Sequence, residues 1–464
     1  WSWNFEGGLP NTSDMQNPSD IVYNTAGVYQ VSLTVSDAAS NTDTEIKTYY
    51  IIVGNSSGGA TSAWLEQHTH FSSQYRGVFN IEIADPQTAW ILTYDGTGGS
   101  ISNDFAVTTD GGTTWTPGII DLPTELKPGD ISAIDGNKAW VAAYNANYGG
   151  GVFFTDDGGQ TWTQQTTAAF TGSTSFTNTI HMFNENDGVV MGDPNSGEFE
   201  IYTTSNGGTT WTLLPAASIP NPQTDEMGWT GVKDAYGDTV WFGTSTGRIF
   251  RSIDKGLTWQ AFTTGEDNVS RISFWDAMNG VIICQVTNQS TGQVESWSMR
   301  KTSNGGETWS PITISGGYEF SDVSVVPGQL GMIVATNISQ TVPDNFSAYS
   351  MDYGTTWEML DDSVQYTSVE FFDENTGWAG GFNLDADNGG IYKWIGLPSD
   401  DIYFSSSPVT EVYEFADYTY NIVVENPGTG TVSISVPAGD ELPAWLSLTD
   451  NGDGTAVLSG TAPE

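Results

Sequence analysis

Arg76, Arg271, Asp130 and Asp322 recur at comparable places in a chain that holds five arginines in all, and with Trp229, Tyr148 and Asp193 they form the set best suited to chemistry. Guanidinium and carboxylate groups make bidentate hydrogen bonds and aromatic faces stack on sugar rings, so such a set suits a polyhydroxylated ligand. The competing reading is that these charges pair with one another at a surface rim. Other constellations point to less. His68-Thr69-His70 is expected to put two imidazoles on one face of a strand, half a zinc site with no third ligand in phase, and is read as surface histidine. Asp450-Asn451-Gly452-Asp453-Gly454 has calcium-binding residue types without the spaced acids of an EF-type loop, and is read as a hairpin closure. No metal, cofactor or catalytic residue is assigned. Cys284, the single cysteine, lies in Val281-Ile282-Ile283-Cys284 and is read as a core residue, so no disulfide forms within the chain.

What must position these groups is a repeat. Six signatures are centred on Asp110, Asp157, Asn206, Asp254, Asn304 and Asp352 and end at Trp115, Trp162, Trp211, Trp259, Trp309 and Trp357, the tryptophans 47, 49, 48, 50 and 48 residues apart. So constant a period means one supersecondary unit repeated around or along an axis, because a unit of this size cannot bury its own apolar face. In each signature the Asp or Asn is expected to accept hydrogen bonds from backbone N–H groups two or three residues on, and Gly to supply the positive φ of a tight hairpin. The indole then points into the layer between neighbouring sheets.

A second repeat runs in phase with the first: Ala89-Trp90-Ile91, Ala139-Trp140-Val141, Gly188-Val189-Val190, Val240-Trp241-Phe242, Gly280-Val281-Ile282, Gly331-Met332-Ile333 and Gly377-Trp378-Ala379. Another short apolar strand precedes each. Four short strands per unit without helical periodicity describe the blade of a β-propeller, and seven second strands predict seven blades. The last blade lacks a signature. Ala63-Trp64-Leu65-Glu66-Gln67 precedes Trp115 by 51 residues and is expected to supply the missing outer strand, closing the ring with a mixed sheet and leaving no open edge. The candidate ligand residues then converge on one funnel, on the face opposite the signature turns.

The signature S/T-x-D/N-x-G-x-T-W resembles the Asp-box, or BNR repeat, of sialidase-type propellers, sortilin-like receptors, xyloglucanases and photosystem II assembly factor-like proteins. Phe372-Asp373-Glu374-Asn375-Thr376-Gly377-Trp378-Ala379-Gly380-Gly381 and Tyr75-Arg76-Gly77-Val78 are similar to repeat phrases of the last. The resemblance covers residues 63–397 and implies that the boxes are scaffold, away from the ligand face. Sialidases use three converging arginines and an Arg-Ile-Pro phrase in the first blade; that phrase is absent here, and Arg248 and Arg251 flank a box strand far from the axis.

Residues 1–53 resemble a PKD domain entered partway, with strict alternation from Val28 to Val35. Residues 54–62 read as a Gly/Ser linker. Residues 398–464, with Leu442-Pro443-Ala444-Trp445-Leu446 and Leu458-Ser459-Gly460-Thr461, are similar to a cadherin-like immunoglobulin module that stops short of its last strand. The fold class is thus all-β, a seven-bladed Asp-box propeller between two immunoglobulin-like sandwiches. The sequence is expected to be an internal piece of a longer precursor, with activity able to reside outside it.

Twelve basic against 56 acidic residues leave a net charge of −44. A field of that sign repels phosphate backbones and anionic lipid, so nucleic-acid partners are not expected, and no apolar run reaches membrane-spanning length. The module set resembles secreted multidomain proteins of Bacteroidota, often exported by type IX secretion. The expected function is a non-enzymatic extracellular binding or adhesion segment whose funnel takes glycan or protein. The alternatives are a glycoside hydrolase of sialidase-like type and an accessory region of a larger secreted enzyme.

Overall fold

The computed structural model describes residues 1–5, 7–16, 18, 21–22, 27–36, 42–53, 63–98, 100–288, 294–315, 318–338, 345–397, 403–404, 412, 414–425, 433–436, 442–452 and 455–463. Two compact units divide the chain, one holding residues 1–55 and 63–396 and the other residues 397–464. The expected linker at residues 54–62 and the acidic end of the candidate calcium loop, Asp453-Gly454, lie outside the described residues. Secondary structure is almost wholly β, and the one helical turn among the described residues is the 3-10 segment Ala216–Ser218.

From Arg76 onward the strands come in consecutive antiparallel fours. Group 1 is Arg76–Asp85, Thr88–Asp95, Ile101–Thr108 and Thr116–Ile119, and groups 2 to 6 open with Leu126–Ala133, Thr177–Met182, Gly228–Tyr236, Val269–Phe274 and Asp322–Val325. Group 7 opens with Ser368–Asp373, continues through Thr376–Asp385 and Asn388–Trp394, and takes its outer strand from the far end of the chain: Trp64–His68 pairs antiparallel with Asn388–Trp394, from Trp394↔Trp64 to Gly390↔His68. A single bridge, Phe382↔Gly77, joins groups 7 and 1. The first strands of consecutive groups touch in order, and that of group 7 touches that of group 1, so they line an axis and the groups radiate from it. This is a β-propeller.

The second strands read as apolar runs because both their faces are buried, as in sheets covered on two sides. In Thr88–Asp95, Trp90 and Leu92 join the core shared with Ile131, Val141 and Phe153 of group 2. Ala89 and Ile91 face the other way, into a core with Trp115 and with Trp378 and Ile391 of group 7. Cys284 sits in the core between groups 4 and 5, where burial pushes its thiol up to about 12. Fully buried indoles also tie the groups together: Trp140 Nε1 donates to Gly207 O at 3.1 Å and Trp241 Nε1 to Gly305 O at 2.9 Å, both carbonyls lying in signature turns of a neighbouring group.

The signature turns differ in detail from the sequence expectation. The carboxylate reaches four residues on: Asp110 Oδ1 accepts from Thr114 N at 2.9 Å and Oδ2 from Thr114 Oγ1 at 2.6 Å. The leading hydroxyl does the rest, since Thr108 Oγ1 donates to Asp110 Oδ1 and accepts from Gly112 N at 2.8 Å. The longer reach follows because two successive residues of positive φ carry the turn, Gly111-Gly112 here and Lys255-Gly256 and Tyr353-Gly354 in two of the others. Gly112 has φ +84°, and a Cβ there would stand 2.2 Å from Gln67 Oε1. The other five turns repeat the pattern, with Asn206 and Asn304 in place of aspartate.

At the start of the chain, Ser2–Phe5 pairs with Thr12–Ser13 and Gly27–Ser36, which pairs in turn with Thr42–Val53, and Trp3 stacks on Phe5 with ring centroids 5.7 Å apart. In the second unit Asp417–Glu425, Thr455–Thr461 and Leu446–Asp450 form a sheet over Ile422 and Ala456, and Asp450-Asn451-Gly452 turns a hairpin with Gly452 at φ +74°.

Candidate functional site

The first strands put one residue of each group at a common level of the axis: Glu82, Ser132, His181, Asp234, Ser273, Ser324 and Glu370. Their second-strand partners define that level, being Trp90, Trp140, Val189, Trp241, Val281, Val334 and Trp378. Five of these side chains accept the N–H that follows the level in the next group. Ala133 N reaches Glu82 at 3.2 Å, Met182 N Ser132 at 3.0 Å, Phe274 N Asp234 at 2.5 Å, Val325 N Ser273 at 2.9 Å and Phe371 N Ser324 at 3.0 Å. Two residues earlier the device repeats, with Asp130 Oδ2 accepting from Ile180 N at 2.8 Å and Asp322 Oδ2 from Val369 N at 3.0 Å. These side chains latch neighbouring groups where no continuous ladder joins them, and they satisfy backbone donors that would otherwise be buried unpaired.

Inside the ring is a cavity of about 460 Å³ lined by Asn80, Glu82, His181, Lys233, Asp234, Arg271, Asp322 and Glu370 among others. Lys233 Nζ lies 3.2 Å from Asp130 Oδ2 and 3.8 Å from Glu82 Oε2. Burial opposes its charge, but Asp130 and Glu82 outweigh that and hold the ammonium above its ordinary range. Arg271 Nε donates to Asp322 Oδ1 at 2.6 Å. Burial pushes Asp234 up to about 7 and drives His181 down to about 3, Lys233 adding to the latter. Burial, with Asp234, Asp322 and Glu82 nearby, lifts Glu370 well above the carboxylate range.

Of the residues singled out from sequence, Asp130, Arg271 and Asp322 meet at this axis. The other four do not line the cavity. Tyr148, Asp193 and Trp229 belong to an arc across groups 2 to 4: Gly149 N donates to Ser175 O at 2.6 Å, Asn178 Nδ2 to Asp193 Oδ1 at 2.7 Å, and Gly228 N to the same Asp193 oxygen at 2.9 Å. Tyr148 is 59% exposed, and burial raises Asp193 to about 6. Trp229 Nε1 is buried without an acceptor. Arg76 stands elsewhere, its Nε 2.5 Å from Asp104 and its NH1 group 3.5 Å from Asp95. Arg248 pairs with Glu226, Arg251 with Glu307 and Arg300 with Glu266, so no three arginines converge among the described residues.

Sequence reasoning missed Glu82, His181, Lys233, Asp234 and Glu370. The signal for Glu82 and Glu370 was a lone acid inside an apolar first strand, Ile81-Glu82-Ile83 and Val369-Glu370-Phe371. The histidine expectation is corrected in its geometry. The strand Trp64–His68 ends before His70, which has φ +55°, so the two rings, 6.3 Å apart, share no strand face. Among the described residues no group of three or more His, Cys, Asp or Glu is placed to hold a metal ion, and no helix is long and apolar enough to cross a membrane.

A family model, the PKD domain, matches residues 1–49. No curated protein matches the chain. Among solved structures it is similar to YCF48 from Cyanidioschyzon merolae, at 18% identity and a TM-score of 0.49 over 72% of this chain and 99% of that one. It is also similar to YCF48 bound to D1 peptide, at 16% identity and a TM-score of 0.49 over 72% and 97%. A third is the Niastella koreensis GH74 enzyme, at 13% identity and a TM-score of 0.38 over 78% and 74%.

Proposed function

We propose that this chain is a non-enzymatic extracellular binding or adhesion region of a secreted or surface-anchored bacterial protein, of the kind Bacteroidota export by type IX secretion. Residues 63–397 are read as a seven-bladed propeller whose six signature turns are Asp-boxes serving as scaffold. Residues 1–53 and 398–464 are read as PKD-like and cadherin-like immunoglobulin modules acting as spacers. The PKD match supports an extracellular setting. One observation carries the binding reading over a catalytic one: Asp130, Asp234 and Asp322 each accept a backbone N–H of the adjacent group, so these acids are engaged in holding the ring together. Ligand contact then falls to the rim, where Tyr148 offers an exposed ring on the arc that also holds Asp193 and Trp229, a composition suited to glycan or to a protein loop.

The test is a glycan-array and hydrolysis screen on the full chain. Binding without turnover is expected, with Tyr148→Ala weakening it about tenfold, the loss of one aromatic anchor, at unchanged melting temperature. Turnover of any bound glycan would sink the non-enzymatic reading. Binding indifferent to Tyr148 would move the site off the rim.

A further inference from the structure

The axial cavity is short of hydrogen-bond donors. At its common level five positions receive a backbone N–H from the next group, and the two that receive none are His181 and Glu370. Glu370 makes no hydrogen bond and no ion pair among the described residues, although it faces the cavity. Asn80 donates from Nδ2 to Asp130, but its Oδ1, an acceptor, is buried without any partner. Charge points the same way: among the described residues the cavity wall carries Glu82, Asp234, Asp322 and Glu370 against Lys233 and Arg271, and Lys233 is already paired with Asp130 behind it. A buried acceptor without a donor costs free energy, and so does uncompensated like charge, so a ligand that brings both donors and positive charge relieves both.

We propose that the axial cavity is a binding site for a primary alkylammonium, a di- or polyamine or an inserted lysine side chain, seated on Glu370 within the ring formed with Glu82 and Asp234. An ammonium fits better than a metal ion because the acceptors stand around the axis and, among the described residues, no three or more of them converge to hold a metal ion. The site goes beyond the rim reading and does not depend on it.

Binding is linked to protonation. The groups facing Glu370 are Glu82, Asp234 and Asp322, which hold its proton on, and Lys233, which opposes them, with His181 and Arg271 on the same wall. An ammonium arriving at Glu370 displaces that proton, so affinity rises with pH and protons are released to buffer. The experiment is calorimetric titration of the full chain with spermidine at low ionic strength, at about pH 5.5 and about pH 8, in buffers of different ionisation enthalpy. The expected result is one saturable site, tighter at the higher pH, with proton release. Glu370→Gln should weaken it at least tenfold while Asp362→Asn, an exposed acid, leaves it unchanged. A peptide of N-acetyl-lysine amide run in parallel separates the sources: if it binds more tightly than spermidine, with the same loss in Glu370→Gln, the occupant is a protein side chain. Binding that does not saturate, that magnesium displaces at equal charge, or that is independent of pH in the unaltered protein would overturn the proposal, as would full affinity in Glu370→Gln. A rim ligand lost in Tyr148→Ala with spermidine binding intact would separate the two sites.

Discussion

Asp110 holds its turn through three contacts, to Thr114 N, Thr114 Oγ1 and Thr108 Oγ1. Burial alone would raise its carboxyl, yet the hydrogen bonds from Thr114 and Thr108 outweigh that and keep it below the ordinary range. Asp110→Ala removes all three, and because the site is solvent-exposed the expected cost is about 1 kcal/mol. Asp110→Asn should cost less, since Asn304 fills the same place, accepting from Thr308 N at 3.0 Å and donating to Thr308 Oγ1 at 2.9 Å. Thermal melts of the two variants check this ordering, and equal destabilisation would contradict it. Residue identity at these turns was legible because turn chemistry is local. The axial residues were not: which face a lone acid takes depends on strand register. In Gly228–Tyr236 the register slips between Gly228 and Lys233, which hides Lys233 from any count of alternation. Thr230 and Gly231 lie in that slipped segment, and a Cβ on Gly231 would stand 3.4 Å from Asn80 on the far side of the ring.

At the scale of elements the strand Trp64–His68 matters out of proportion to its length. Gln67 Oε1 accepts from Trp115 Nε1 and from Trp378 Nε1, both at 3.0 Å, so one side chain joins the first signature turn to the second strand of group 7. Gln67→Ala would leave two buried indole N–H groups without acceptors, at about 1–3 kcal/mol each, whereas Gln67→Glu keeps an acceptor in place. The expected outcome is a melting transition lowered by several degrees in Gln67→Ala and recovered in part by Gln67→Glu; a melt indifferent to Gln67→Ala would show that this strand does not close the ring. The strand's pairing was readable from the spacing of Trp64 to Trp115, because a ring has to hide its last edge. The latches between first strands were not readable, for they join residues about 50 apart through single hydrogen bonds that impose no sequence pattern.

Over the whole molecule two populations of carboxylate oppose each other with pH. Asp110, Asp157, Asp254 and Asp352 are held low in the folded state, so their contribution is present above about pH 4, the unfolded value, and is lost as pH falls through the folded values. Asp234, raised to about 7, and Glu370, raised well above its ordinary value, act in reverse. Between about pH 4 and pH 7 these buried carboxyls bind more protons in the folded protein than in the unfolded chain and outnumber His181, which is held neutral there and acts oppositely, so stability falls as pH rises through that window. The melting temperature should therefore be highest near about pH 5 and decline toward about pH 8. Repulsion within a chain of net charge −44 adds a decline of the same sign, but it is screened by salt, whereas the buried groups are screened far less. Glu370→Gln separates the two, since a glutamine cannot ionise and among the described residues Glu370 makes no hydrogen bond that the change would break. In about 0.5 M NaCl the variant should melt several degrees above the unaltered protein at about pH 8 and by a much smaller margin at about pH 5. If the two curves run parallel across that range, the axial carboxylates do not set the pH dependence, and surface repulsion does.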